Sequence, residues 1–354
     1  MMRSSKFGVI VLLSLAVLGG TSCSYYSRIM ARKDLVDGSK AYKDRKFPEA
    51  ERLFKSAASH DPNGETLEGR TAQLFLARTL HSEYIGDRSK KDLAQGAIDA
   101  YKQALPSVLK EYSDARAEYE KSPNDAAAQK RYAGSLSDAV TTAGAISGLF
   151  DNLQMTAEAD QWRQQLAGDN KYPEAARAAA YNSMAAKANT CANDITDTDA
   201  TKKTVTVNGQ QTYQYVKPAN AADLDNLKKC IQDGNTAADA ALALEPQMVK
   251  DAPKTVDVKA ASDDQLKLYQ EFIKPFESAR SYKAAMAIQS SRLAEMNGQK
   301  DDAAKFKTQS DQLRQSYNEL GDLDKKIQQE IDDRNQAKQA AETGNTNSNA
   351  NSSK

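Results

Sequence analysis

Cysteine, histidine and tryptophan are nearly missing from these 354 residues, which hold three Cys, two His and one Trp. A structural zinc site takes about four ligands at short spacing, and no C-x-x-C is present, so no metal centre is expected. Glycine (17) and proline (9) are sparse and aromatics reach only 7%, while Ala, Gln, Lys, Asp and Glu are heavily used. That is the profile of packed helices. Neither sign of charge is in excess, with 48 basic and 48 acidic side chains. No strong overall field is therefore available to recruit nucleic acid or an acidic membrane surface. No phosphate-binding glycine loop occurs, and neither His60 nor His81 sits in a motif that would orient it for catalysis. Paired acids such as Asp263 with Asp264 and Asp301 with Asp302 stand at expected helix starts, where the helix dipole accounts for them. No enzymatic activity and no cofactor are expected. The one long apolar run, Phe7–Leu18, has twelve residues, well short of the roughly 20 that span a bilayer.

What the sequence does hold begins with that run. Arg3 and Lys6 precede it and L-G-G-T-S-C follows, which reads as an export signal over residues 1–22. Its removal leaves 46 bases against 48 acids. Cys23, with the small Ser22 before it and Gly20 where Leu is usual, resembles the acceptor cysteine of bacterial lipoproteins. The resemblance implies an acylated Cys23 and a membrane tether, since a pair of acyl chains gives stable anchoring. By the same resemblance, Ser24 in place of an Asp implies the outer membrane, with the chain facing the periplasm. The alternative is ordinary cleavage near Ser22, leaving a secreted periplasmic chain with a free thiol at Cys23. Residues 23–33 read as a linker.

From Asp34 to Pro62 small and large residues alternate in a helical-hairpin register: Gly38, Ala41, Tyr42, Phe47, Ala50, Phe54, Ala57, Pro62. Gly38 and Ala50 would let two antiparallel helices approach closely, with Phe47, Phe54 and Ala57 in the seam and Pro62 as the stop. A second unit starts near Gly69, with Leu76, Ala77 and Leu80, then Ala97, Tyr101, Ala104 and Leu105; Glu83–Lys91 reads as an inserted loop between its halves. Pro106–Pro123 reads as a further amphipathic helix, after which Asn124 or Asp125 caps a third unit. That unit carries Ile146, Ser147 and Phe150, then Ala157, Ala159 and Trp162, and runs to Leu166. Pro173 and Glu174 open an alanine-rich helix to about Ala192. Residues 194–220 are an insertion in which Thr204–Val216, with alternating Val and Tyr around Asn208-Gly209, has the signature of a β-hairpin. A lone hairpin is marginal in water, so it should lie against the helices or a partner. Helix resumes from Ala221 to Pro246. Residues 247–261 read as loose, Ser262 with Asp263 and Asp264 as a helix start, and Asn297-Gly298 as the turn before Ala303, Ala304 and Phe306. From Glu342 the Asn/Ser-rich tail reads as disordered.

Taken together, signal, Cys23 and repeats resemble the tetratricopeptide-repeat lipoproteins of bacterial cell envelopes, most clearly in the first repeat and over residues 34–246. The expected fold is all-α, a solenoid of helical hairpins with a small β-hairpin insertion, followed by a helical region over residues 247–341. The resemblance implies a concave groove and protein–protein binding: a scaffold or assembly factor with protein partners in the envelope. A ligand- or glycan-binding accessory lipoprotein is the second reading, and a structural envelope component the third. The repeat register points Tyr42, Lys43, Arg78 and His81 inward, with Asp151 and Asn152 on a later repeat, as candidate groove-binding residues; ordinary solvated surface is the plain alternative. The inner faces do not reproduce the Lys/Asn/Arg clamp for a peptide carboxylate. Cys191 and Cys230 flank the insertion on helices expected to run antiparallel, and stand either as a disulfide or as two buried thiols.

Overall fold

The computed structural model describes residues 26–350, and side chains over residues 26–341. The signal segment and Cys23 lie outside the described residues. Among these there are 11 helices and one two-stranded antiparallel sheet, and the fold class is the expected all-α, helical-hairpin solenoid class with a small β-hairpin. The helices are α1 (residues 26–43), α2 (Phe47–Ser59), α3 (Leu67–Gly86), α4 (Lys91–Lys121), α5 (Ala126–Asn152), α6 (Thr156–Gly168) and α7 (Glu174–Thr196). After β1 (Lys202–Val207) and β2 (Gln210–Tyr215) come α8 (Ala221–Ala243), α9 (Gln247–Thr255), α10 (Asp263–Met296) and α11 (Lys300–Ala350). None of the described helices is long and apolar enough to cross a membrane. The chain divides into two compact units, the first taking the described residues up to Glu111 with Ala145–Thr156, the second Tyr112–Gly144 with the residues from Ala157 onward.

In the first unit, α1 and α2 form a hairpin around Ala41, Ala50, Leu53 and Phe54, with Leu35, Tyr42, Phe75 and Leu76 packed against them. Burying a side chain the size of Phe54 stabilises by about 2–3 kcal/mol. The α1–α2 turn is a Schellman motif: Lys46 N–H donates to the Ala41 carbonyl and Arg45 N–H to that of Tyr42, with Arg45 at a φ of 59°. The same pair of bonds closes α5 at Gln154 and α10 at Gly298, and in each case the next helix starts two residues after the left-handed position. One turn design thus recurs at three helix ends, two within the repeat region and one in the C-terminal helical region. The expected loop Glu83–Lys91 is shorter than predicted, because Tyr84, 3% exposed, extends α3 through Gly86. The separate helix expected from Pro106 is corrected too: α4 runs unbroken through Pro106, which costs the Lys102 carbonyl its partner. Buried Tyr101, Leu105, Val108 and Tyr112 on both sides outweigh that loss.

In the second unit Asp125 caps α5, its Oδ1 accepting from Ala128 N–H at 2.8 Å. Helix α10 packs against α7, α8 and α11. Ser262 and Gln265 form a reciprocal capping box at its start. The segment 247–261 is not loose throughout: α9 forms because Val249 and Ala252, a turn apart, are both fully buried. Helix α11 continues past Glu342, where the polar tail was expected to begin. The hairpin pairs Val207 with Gln210 around a two-residue turn in which Asn208 (φ 52°) and Gly209 (φ 79°) are both left-handed, the turn that matches strand twist. Tyr215 packs against the cluster of Ala192, Leu227, Cys230, Ile231, Met286 and Met296, and the Arg292 guanidinium stacks 4.7 Å from its ring centroid, so the hairpin is held by the helices. Below it, Gln289 on α10, 2% exposed, donates to Asn189 and Asn193 and accepts from Thr196. Cys191 on α7 and Cys230 on α8 are joined as a disulfide, with Cα atoms 6.0 Å apart and a sequence separation of 39. Closing a loop of about 40 residues is worth roughly 3 to 4 kcal/mol by chain entropy.

Candidate functional site

The first unit contains a groove of about 750 Å³. Its walls come from the end of α1 (Tyr42, Lys43), the Schellman turn with the start of α2 (Arg45, Phe47), one face of α3 (Arg78, His81, Ser82, Ile85, Gly86), and Tyr101 of α4. Arg78, His81, Ser82 and Ile85 share a face because their spacing follows the 3.6-residue turn. Tyr42 is fixed by three contacts. Its hydroxyl lies 3.1 Å from Ser82 Oγ, and its ring stands edge-on to Phe47 at 5.6 Å and to Phe75 at 5.8 Å. The Arg78 guanidinium sits 5.3 Å from the centroid of Phe75. His81 Nδ1 meets the Tyr101 hydroxyl at 3.3 Å, their rings nearly perpendicular.

Burial pushes the His81 imidazole below its ordinary 6.5 and the Tyr101 phenol up to about 12. His81 is therefore neutral near pH 7, and the positive charge of the groove comes from Lys43, Arg45 and Arg78. None of the described lining residues is acidic. Compared with protein-family models and with curated proteins, the chain matches neither. The groove offers aromatic walls and three cationic side chains, with no acid among its described lining residues.

Four of the six residues that the repeat register points inward, Tyr42, Lys43, Arg78 and His81, line this one cavity. Asp151 and Asn152 do not. They close α5, where the Asp151 carbonyl accepts from Gln154 N–H and Asn152 Oδ1 accepts from Arg88 at 3.4 Å. Sequence reasoning missed Arg45, Ser82, Ile85 and Gly86, and took Phe47 and Tyr101 as packing alone. Ser82 and Ile85 carried a usable signal, one and two turns along α3 from Arg78. Arg45 carried none, since its position follows from a left-handed backbone that glycine usually marks.

A second cavity, about 480 Å³, opens in the other unit beside the disulfide, and its charged lining mixes Asp160 and Asp233 with Arg163 and Lys187. Lys187 and Asp160 already pair at 2.5 Å. Among the described residues no group of three or more His, Cys, Asp or Glu could hold a metal ion. His60, the other histidine, rests its Nδ1 3.1 Å from Ser27 Oγ.

Proposed function

We propose that this chain is a lipid-anchored cell-envelope protein of the tetratricopeptide-repeat lipoprotein kind, and that it holds an acidic, extended peptide segment of a protein partner in the groove of its first unit. The carrying observation is the convergence of Lys43, Arg45 and Arg78 over an aromatic floor with no acid among the described lining residues. A cationic wall suits carboxylates, and rigid rings offer apolar area at little entropic cost. The role is binding rather than catalysis: His81 faces the Tyr101 hydroxyl, burial favours its neutral form, and no further group among the described residues orients the pair.

The test is capture from cross-linked envelopes. Arg78→Glu reverses charge on the groove floor, so stoichiometric protein capture falls by more than about tenfold while the helical circular-dichroism signal is unchanged. Undiminished capture removes this groove as the site. A glycan co-purifying in place of a protein favours the accessory, ligand-binding reading.

A further inference from the structure

Helix α1 has two faces, and packing accounts for only one. Ala31, Asp34, Gly38 and Ala41 are buried, and Asp34 accepts from Ser56 of α2 at 2.6 Å. On the opposite side, at 3.6 residues per turn, Tyr26, Ile29, Arg32, Lys33, Val36 and Lys40 fall within about a third of the circumference. All six are exposed. Tyr26, Ile29 and Val36 are 65%, 48% and 60% exposed, three of the seven large apolar side chains left exposed among the described residues. Scattered exposed apolar side chains need no explanation, but three aligned on one helix and interleaved with cations do. The acid beside the stripe is Asp37, 3.5 Å from Lys33.

Apolar side chains flanked by long cationic ones, whose stems can lie along an apolar layer while the charge stays at its rim, are the pattern of a helix lying in a bilayer interface. We propose that α1 lies along an anionic lipid surface, with Tyr26, Ile29 and Val36 at headgroup level and Arg32, Lys33 and Lys40 against lipid phosphates. A second copy of the chain fits less well, because a two-fold contact would set the basic stripe against itself. The proposal rests on reading Cys23 as the lipid anchor, which stands three residues before Tyr26 and would bring the surface to this helix. It also gives a local use for charge in a chain whose overall balance is zero.

The test uses the full chain purified from envelopes, with Ile29→Cys or Val36→Cys carrying an environment-sensitive dye and the parent chain treated in parallel. Cys191 and Cys230 are bridged and take no dye. On phosphatidylglycerol vesicles, dye at positions 29 and 36 shifts to shorter wavelength and is quenched by brominated lipid, whereas dye at exposed Asp223→Cys is not. Phosphatidylcholine vesicles give a smaller shift. Each of Arg32→Gln, Lys33→Gln and Lys40→Gln lowers the ratio of buried to exposed dye by about fivefold. Water-like emission at both positions, or failure of the chain to join the vesicles, overturns the proposal. So does burial of the dyes without vesicles that grows with protein concentration, which would assign the face to a second copy. Dye uptake by the parent chain reports a free Cys23 and defeats the anchor alone; after that correction, emission at 29 and 36 still decides the face.

Discussion

Phe54 occupies the space that a side chain at residue 38 would need: a Cβ there would stand 2.9 Å from Phe54 Cε1 and 3.2 Å from Leu53 Cβ. Both neighbours belong to the packed α1–α2 core, where space for a further methyl group is not available cheaply. Gly38→Val should therefore destabilise by about 1–3 kcal/mol, read as a lower urea midpoint. Gly144, inside α5 with open space around the place of a Cβ, is the counterpart, and Gly144→Ala should stabilise by about 0.5–1 kcal/mol. If both substitutions shift the midpoint equally, close approach is not what Gly38 supplies. Arg45 and Gln154 show the opposite relation between residue and backbone. Each holds a left-handed position at a helix end where glycine is usual, and the two Schellman bonds that follow offset a strain of roughly 1 kcal/mol.

Between elements, the clearest clamp joins α11 to the start of α10. Arg334 donates to the carbonyls of Ala261, Lys259 and Val258 and to Asp263 Oδ1, while Lys338 takes Asp263 Oδ2 at 2.5 Å. Glu330 adds ion pairs to Arg334 and Lys259. The hydrogen bond from Lys338, then that from Arg334, hold the Asp263 carboxyl down to about 2, against an ordinary 3.8. A folded pKa below the unfolded one means that the support is complete above about 3.8 and is lost as the pH falls to about 2. Asp263→Asn should lower the melting temperature by roughly 1–3 °C at pH 7 and by much less at pH 2. Equal melting of the two proteins at pH 7 would rule the clamp out. Much of this level was legible: the Ser262 cap, the Asn208-Gly209 hairpin and the Asn297-Gly298 turn are short-range signals and form where expected. Helix α4 was misread because Pro106 was taken as the start of a separate helix, and the stretch that forms α9 was read as loose. In both, buried apolar side chains on either side or one turn apart decide the outcome.

For the molecule as a whole, the proposed role needs a tether, and no described helix supplies a membrane span. Acyl-probe labelling of growing cells should mark the parent chain and not Cys23→Ala; label that survives the substitution would place the acyl group elsewhere and end the anchor reading. Periodicity, small residues and caps are properties of neighbours along the chain, so the all-α class, the hairpin, and the close approach at Gly38 were within reach of the sequence. The groove was only half within reach. Its α1 and α3 cations could be named from the repeat register, but Arg45 enters through a left-handed turn and Tyr101 from a third helix. Which cations converge, and that Asp151 and Asn152 stay out, depends on how far each helix is rotated against the next. Side-chain packing sets that rotation between residues distant in sequence, so it was decided only when the chain folded.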